Sequence, residues 1–315
     1  MVRKINFMVW GIYNLFDNGL LYRLAQKNAF SESQEALAIG LGFAFCIIFS
    51  YLIGSVNCAL VVSRLFFHDD VRRHGSGNAG ATNVLRSYGK KAGLLTFAGD
   101  GLKGALCIVV ACLIFGRPAV DSRYIYLIAA AYFSAFFCIF GHVFPCFAKF
   151  RGGKGFATLA VSVLCLNPFI FAILCVVFFP LVLMTKYVSL GSVVAALLYP
   201  VFLSTFDSMK FSDTETSTHY GISTLVAFLI AMLVTWAHRG NIKRIMNHTE
   251  RKLGEHSTPA PEAEPVPEVA PTEADAEEDG EDETYTPAAH RSLPIKKKKH
   301  PVSEKKRKRQ KKEKR

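Results

Sequence analysis

The chain has 315 residues, of which 51% are apolar and 12% aromatic, and its mean hydropathy is positive although residues 254–315 are polar. This composition excludes a soluble two-domain protein and indicates a polytopic membrane protein. Residues 1–253 carry 23 Lys and Arg against 11 Asp and Glu, whereas the charges of residues 254–315 cancel, so the net charge of +12 belongs to the membrane part.

Apolar segments long enough to cross a bilayer follow one another between residues 38 and 253. A crossing helix needs about 20 apolar residues, because the hydrocarbon core is about 30 Å thick and a helix rises about 1.5 Å per residue. These segments are residues 38–67, 93–116, 125–148, 155–185, 187–206 and 220–237. The uncharged run 155–185 is interrupted at Asn167-Pro168, which predicts two tilted or shortened helices joined by a tight turn. The sequence therefore predicts an all-α integral membrane protein with six or seven crossings.

The connecting segments differ in charge. Lys and Arg collect in residues 68–92, 149–154 and 239–252, whereas residues 117–123 and 207–219 are nearly neutral. Basic loops stay on the cytoplasmic side of a membrane. The three basic segments share that side only if the run 155–185 crosses twice. This favours about seven transmembrane helices, with short amphipathic segments in the loops and the amino end outside.

Residues at the two ends of the chain lie outside this pattern. Residues 1–37 form an N-terminal extension whose basic side chains fit an external position poorly, and its segment 7–21 is a candidate for a helix lying on the membrane surface. Residues 254–315 predict a disordered tail, first acidic and Pro-rich, then rich in Lys and Arg, because neither part can bury enough apolar surface. The basic end could contact anionic lipid or nucleic acid, but a solvated tail against its acidic neighbour is favoured. No nucleic-acid partner is expected, and the partner of the tail is unspecified.

The first of three polar motifs on the predicted cytoplasmic face is HGSGNAGATNVLR, residues 74–86. Its glycines, among them Gly75 and Gly77, let the backbone approach a ligand closely. Its polar side chains can hydrogen-bond a phosphate, and the guanidinium of the last residue does so as a fork. These candidate binding residues are Ser76, Asn78, Thr82, Asn83 and Arg86. A turn that opens the next helix would explain the glycines and Asn78 but not the whole run.

The second motif is KFRGGKG, residues 149–155. Glycines between cations make a loop that can surround a phosphate, although the spacing is not that of a P-loop. The candidate residues are Arg151, Gly152, Gly153, Lys154 and Gly155. Anchoring of a cytoplasmic loop would explain the cations equally well.

The third motif is HRGNIKR, residues 238–244, followed by Glu250. His238 and Asn241 are three residues apart and so share a helix face at the mouth of the last span. The histidine is a candidate for proton transfer or for a hydrogen bond to phosphate. An ordinary interfacial histidine is the alternative.

Together the motifs HGSGNAGATNVLR, GHVFPCFAKFRGGKG, TKYVSLGS and HRGNIKRIMNHTERKLG resemble, over residues 40–254, those of the bacterial acyl-phosphate:glycerol-3-phosphate acyltransferases, the PlsY family. The resemblance implies a multi-pass enzyme of phospholipid biosynthesis in the bacterial cytoplasmic (inner) membrane, with its active site facing the cytoplasm. It would transfer an acyl group from acyl phosphate, supplied by a soluble phosphate acyltransferase, to position 1 of sn-glycerol 3-phosphate. The products would be lysophosphatidate and phosphate. The resemblance implies no cofactor and no metal, and membrane lipid as a further partner.

The resemblance also implies roles for individual residues. Catalytic roles fall on Ser76, Arg86, His238 and Asn241. A phosphate-binding loop falls on residues 152–155, a substrate contact on Ser189 and a structural role on Glu250. The chain departs from the family pattern at Arg151, where Lys is usual, and at Gly240, where an acidic residue is frequent. Arginine keeps the charge of lysine but not its geometry.

Several alternatives remain open at this stage. The general base is either His238 or the phosphate of glycerol 3-phosphate, and a donor or orienting role of His238 is favoured. Asp100 and Lys103, charged at membrane depth, either neutralise each other or support the active site. A transporter or channel for a phosphorylated solute is the competing function. The sequence lacks an internal repeat and its polar groups gather on one face, which favours an enzyme.

Overall fold

The structure, a computed structural model, describes residues 19–116, 124–210 and 214–254. These residues form helices joined by short loops, which confirms the all-α prediction. The helices are α1 (Leu20–Asn28), α2 (Glu32–Ser55), α3 (Cys58–Phe67), α4 (Ala81–Tyr88), α5 (Lys90–Phe115), α6 (Tyr124–Val143), α7 (Phe156–Leu166), α8 (Pro168–Thr185), α9 (Val188–Lys210), α10 (Thr214–Ala237) and α11 (Arg239–Met246). The predictions for residues 255–315 of the disordered tail, which begins at residue 254, and for most of the segment 7–21 lie outside the described residues.

Within the described ranges, five helical stretches are long and apolar enough to cross a membrane. They are Glu32–Phe67, Lys90–Phe115, Ile125–Ala148, Pro168–Thr185 and Val188–Phe206, and the bent pair Gly221–Ala237 and Arg239–Met246 makes a sixth if it counts as one span. Helix α7 is apolar but has only 11 residues, which corresponds to about 16 Å, half the thickness of the hydrocarbon core. The chain is a multi-pass membrane protein, and the number seven stays a prediction.

Two breaks in the apolar segments shape the fold. The predicted break at Asn167-Pro168 is present, and Pro168 begins α8, where its missing N–H costs nothing. The first predicted span, residues 38–67, lies within the apolar stretch Glu32–Phe67, and inside this stretch the chain breaks at Val56-Asn57 between α2 and α3. The Asn57 side chain accepts from the Leu60 N–H at 3.0 Å and donates to the Ala79 carbonyl at 3.1 Å. The break thus ties the first span to the first polar motif.

Helix α6 forms the centre of the bundle and contacts α2, α5, α7 and α10. Its inward residues are fully buried and include several alanines. Small residues allow helices in a membrane to approach closely. The α2–α6 contact depends on two of them, Gly54 and Gly141, because a Cβ at either position would overlap the backbone of the other helix.

The outer surface of the bundle is apolar. On α2 the exposed side chains Leu41, Phe45, Ile48 and Leu52 recur at helical spacing, and α5, α8 and α10 expose similar rows. Patches of this extent are unusual on proteins in water. The outward rows therefore indicate contact with lipid.

Candidate active site

A cavity of about 610 Å³ lies where the three polar motifs meet. One part of its lining is polar and comes from all three motifs, together with Ser189 and Glu250: Ser76, Asn78, Thr82, Asn83, Arg86, Lys154, Ser189, His238, Asn241, Arg244 and Glu250. The other part is apolar and comes from α7, α8 and α9: Phe156, Leu159, Val163, Phe171, Leu174, Phe178, Phe179, Ala195 and Tyr199. Such a cavity suits ligands that combine a charged group with an apolar chain.

The first motif is shaped by the buried side chain of Asn83. Its Nδ2 donates to the carbonyls of Val71 and His74, each at 3.0 Å, and its Oδ1 accepts from the Ser76 N–H at 3.0 Å. Gly75 has a φ of +58°, and a Cβ there would overlap Asn83 Oδ1. The carboxamide of Asn83 is thus used to hold the loop, and the loop presents Ser76 to the cavity.

Arg86, in the last turn of α4, connects the first motif to the segment after α11. Its Nη2 donates to the carbonyls of Arg251 at 3.2 Å and Lys252 at 3.4 Å. The next residue, Leu253, donates its N–H to the Lys186 carbonyl at 2.7 Å. Residues 250–253 therefore lie across the polar end of the cavity and contact both sides of it.

Glu250 gathers three side chains of the site. Its Oε1 accepts from Ser189 Oγ at 2.7 Å and from Asn241 Nδ2 at 2.6 Å, and its Oε2 accepts from Arg244 Nε at 2.8 Å. Burial acts to raise the pKa of this carboxyl, but the hydrogen bonds from Asn241, Ser189 and Arg244 together hold the pKa below its usual value. A carboxylate with three donors orients them, and the structural role that the resemblance implies for Glu250 stays a prediction.

His238, at the junction of α10 and α11, is 3% exposed. Its Nδ1 lies 2.8 Å from the Val234 carbonyl, which can only accept, so Nδ1 carries the proton and Nε2 of the neutral ring is an acceptor. Burial, followed by the positive charge of Lys154, lowers the pKa of His238 to about 4. The ring is therefore neutral at physiological pH and presents an acceptor.

The second motif divides into two parts. Lys154 and Gly155 line the cavity, and burial lowers the pKa of Lys154 to about 8, with Glu250 opposing this shift. Gly152 and Gly153 are not among the residues that line the cavity, and they pack against His142, which does line it. The Gly153 N–H donates to the His142 carbonyl at 3.1 Å, and a Cβ on either glycine would overlap His142.

Several further site predictions have a clear structural position. Arg151 is exposed, and neither Arg151 nor Gly77 is among the residues that line the cavity. Asp100 and Lys103 are paired, with 3.0 Å between Oδ1 and Nζ. Two contributors were missed. His142 lies in the apolar segment 125–148, and its place shortly before KFRGGKG is the signal in the sequence. Arg244 is one of several cations in the basic segment 239–252, and its position six residues before Glu250 is the signal in the sequence.

The comparisons with known proteins agree with one another. Residues 44–248 match the family model described as glycerol-3-phosphate acyltransferase. The glycerol-3-phosphate acyltransferase of Clostridioides difficile (strain 630) is 37% identical over 206 residues, which cover 65% of this chain and 93% of the relative. That of Bacillus subtilis (strain 168) is 40% identical over 210 residues, 67% of this chain and 97% of the relative.

Solved structures extend the likeness to the fold. The crystal structure of PlsY (YgiH), an integral membrane glycerol 3-phosphate acyltransferase, in its glycerol 3-phosphate form has a TM-score of 0.57 and 31% identity, covering 67% of this chain and 96% of that chain. Its lysophosphatidic acid form has a TM-score of 0.55 and 30% identity, covering 67% and 95%. The chain therefore belongs to the glycerol-3-phosphate acyltransferase family.

Proposed function

We propose that the protein transfers an acyl group from acyl phosphate to the 1-hydroxyl of sn-glycerol 3-phosphate, giving lysophosphatidate and inorganic phosphate. The observation that carries the proposal is the division of one cavity into a polar end with cations and an apolar channel. A reaction between a phosphorylated polyol and an activated acyl chain needs both environments at one point. The acceptor named for the relatives, glycerol 3-phosphate, fits the polar end.

Binding of two phosphorylated substrates requires positive charge and several donors. Arg86, Lys154 and Arg244 reach the cavity, and Glu250 offsets part of their charge. With a pKa of about 8, Lys154 is about 90% protonated at pH 7 and keeps its charge for phosphate. The guanidinium forks add directional hydrogen bonds to phosphoryl oxygens.

The reaction itself is a direct displacement. The 1-hydroxyl oxygen attacks the acyl carbonyl carbon, the bond from that carbon to the phosphate oxygen breaks, and phosphate leaves with the electron pair. Ser76 and Arg86 are assigned to donate hydrogen bonds to the developing negative charge. Asn241, held by Glu250, supports the substrate from the other side.

The hydroxyl proton has two possible acceptors in this cavity. Nε2 of His238 is an unprotonated acceptor, which supports a hydrogen bond from the substrate hydroxyl rather than the donor role favoured on sequence grounds. With a pKa of about 4 the imidazole is a weak base. A phosphate monoester, with a second pKa of about 6, is a stronger one. We therefore assign orientation of the hydroxyl to His238 and uptake of the proton to the phosphate of glycerol 3-phosphate.

We further propose a place in the bacterial cytoplasmic membrane, with the polar end of the cavity facing the cytoplasm. Three basic segments gather at the polar end, which supports this orientation. Water-soluble glycerol 3-phosphate would enter from that side. Acyl phosphate made by a soluble phosphate acyltransferase would reach the same mouth.

The test uses the purified full chain in detergent with radiolabelled glycerol 3-phosphate and either acyl phosphate or acyl-CoA. We expect lysophosphatidate from acyl phosphate, little from acyl-CoA, and unchanged activity in EDTA. Arg86→Ala should remove most turnover, whereas Arg73→Ala, an exposed arginine outside the cavity, should not. Equal rates with acyl-CoA would contradict the donor assignment. Uptake of glycerol 3-phosphate into proteoliposomes without product would establish the transporter instead.

A further inference from the structure

Three ionisable side chains form a buried cluster that the proposed reaction does not use. Asp100 and Lys103 of α5 and His142 of α6 are 1%, 7% and 3% exposed. Burying charges within a membrane protein is costly, and such residues face the interior or a cavity. Asp100 and His142 both reach the wall of the active-site cavity, whereas Lys103 lies behind them.

The contacts of Lys103 determine the tautomer of His142. The ammonium Nζ lies 3.0 Å from the Gly54 carbonyl, 2.9 Å from the Val56 carbonyl and 2.8 Å from His142 Nδ1. An ammonium has protons but no lone pair, so Nδ1 must be the acceptor. Asp100 Oδ1 is closer to Nζ, at 3.0 Å, than to Nδ1, at 3.4 Å, and it balances the lysine charge. The proton of the neutral His142 ring is therefore on Nε2.

The Nε2–H group points at the second polar motif. A Cβ on Gly153 would overlap Nε2, so the glycine leaves the space in which the ring approaches the loop. Lys154, the next residue, lines the same cavity as His142 and Asn78. The Nε2–H group thus lies next to the loop that carries Lys154, and both residues reach the cavity.

We propose that His142 is a phosphate-binding residue whose Nε2–H donates to a phosphoryl oxygen of a substrate, and that Lys103 and Asp100 are positioning residues that fix this tautomer. The proposal rests on the proposed function only for the identity of the substrate. The two cavity histidines then have opposite tautomers. His238 presents an acceptor, suited to a hydroxyl, and His142 presents a donor, suited to a phosphoryl group.

The first experiment determines which ring nitrogen of His142 carries the proton in the full chain. Nitrogen-15 chemical shifts of labelled histidine, assigned to His142 by comparison with His142→Gln, should show a protonated Nε2 in the wild type. Lys103→Met should move the proton toward Nδ1, whereas Ser134→Ala, an equally buried polar position on α6, should not. Inorganic phosphate should shift the Nε2 resonance. A wild-type ring protonated on Nδ1, or one insensitive to phosphate, would overturn the proposal.

The second experiment distinguishes whether His142 binds the phosphate of glycerol 3-phosphate or that of acyl phosphate. His142→Leu and Lys103→Met should raise the KM for one substrate about tenfold to a hundredfold, the range of a lost hydrogen bond to a charged group, and leave the other KM within about twofold. The affected substrate identifies the bound phosphate. A fall in kcat and thermal stability with both KM values unchanged would show that the cluster only supports the fold. If the wild type made no lysophosphatidate, the proposed function would fail, while the nitrogen shifts would still decide the role of His142.

Discussion

We expect the imidazole of His238 to be uncharged at physiological pH, and this prediction can be tested quantitatively. Its pKa of about 4, against about 6.5 for a free histidine, means that at pH 6 about 1% of the rings carry a charge, where a free histidine would be about three-quarters charged. A pKa of about 4 in place of about 6.5 corresponds to about 3 kcal/mol between the two protonation states. Burial is the main cause and the charge of Lys154 is the second. Removing that charge should therefore raise the pKa without restoring the free value.

The assay is a histidine NMR titration of the full chain, with the His238 signal identified by its loss in His238→Gln. Lys154→Met should move the midpoint upward. Lys149→Met, an exposed lysine of the same loop outside the cavity, should leave it in place. A wild-type midpoint near 6.5, or a midpoint that ignores Lys154→Met, would refute the argument.

The same shift has a consequence for stability. Because the folded pKa lies below the unfolded one, the unfolded chain binds the extra proton between about pH 6.5 and pH 4. Stability should therefore fall as the pH falls through this window, by up to about 3 kcal/mol from this group. Thermal unfolding of the wild type in detergent should show the decline, and His238→Gln should show less of it. Equal slopes for the two proteins would contradict the shift.

The remaining predictions concern three other parts of the cavity. Gly153→Ala should lower both activity and melting temperature because its Cβ overlaps His142. Gly240→Ala should leave both nearly unchanged, because its Cβ makes only an ordinary contact with Arg244 at 3.7 Å; the reverse order would be inconsistent with the packing. Val163→Phe should shift the ratio of kcat/KM values toward shorter acyl phosphates by filling the channel, whereas Leu164→Phe, on the exposed face of α7, should not. Glu250→Gln should lower turnover at least about tenfold, because three donors lose a charged acceptor, and normal turnover would show that the carboxylate is dispensable.

The sequence predicts much of the helix layout, because charge-free apolar runs and the proline at residue 168 are local signals. The break at Asn57 was not predictable in this way. Apolar residues lie on both sides of Ser55-Val56-Asn57, and the break is stabilised by a hydrogen bond to Ala79, 22 residues away. The number of transmembrane helices is not fixed by the sequence either. Helix α7 is apolar, but with 11 residues it is too short to show whether the chain crosses the membrane there.

The sequence predicts which residues form the site better than it predicts what each residue does there. Clusters of Gly, Asn and Arg marked the three motifs, and most of their polar side chains do line one cavity. The use of each group depends on distant partners. Asn83 holds its own loop, and Gly153 makes room for a histidine from another helix. Neither partner could be inferred from spacing along the chain.

The Glu250 carboxylate couples the energetic contributions of the three side chains that donate to it. Ser189 belongs to α9, whereas Asn241 and Arg244 belong to α11, and all three donate to the same two oxygens. Loss of one donor weakens the orientation of the acceptor for the others, so the effects of substitutions should not add. A double-mutant cycle between Ser189→Ala and Asn241→Ala should therefore reveal coupling, although the two side chains are separated by 52 positions in sequence.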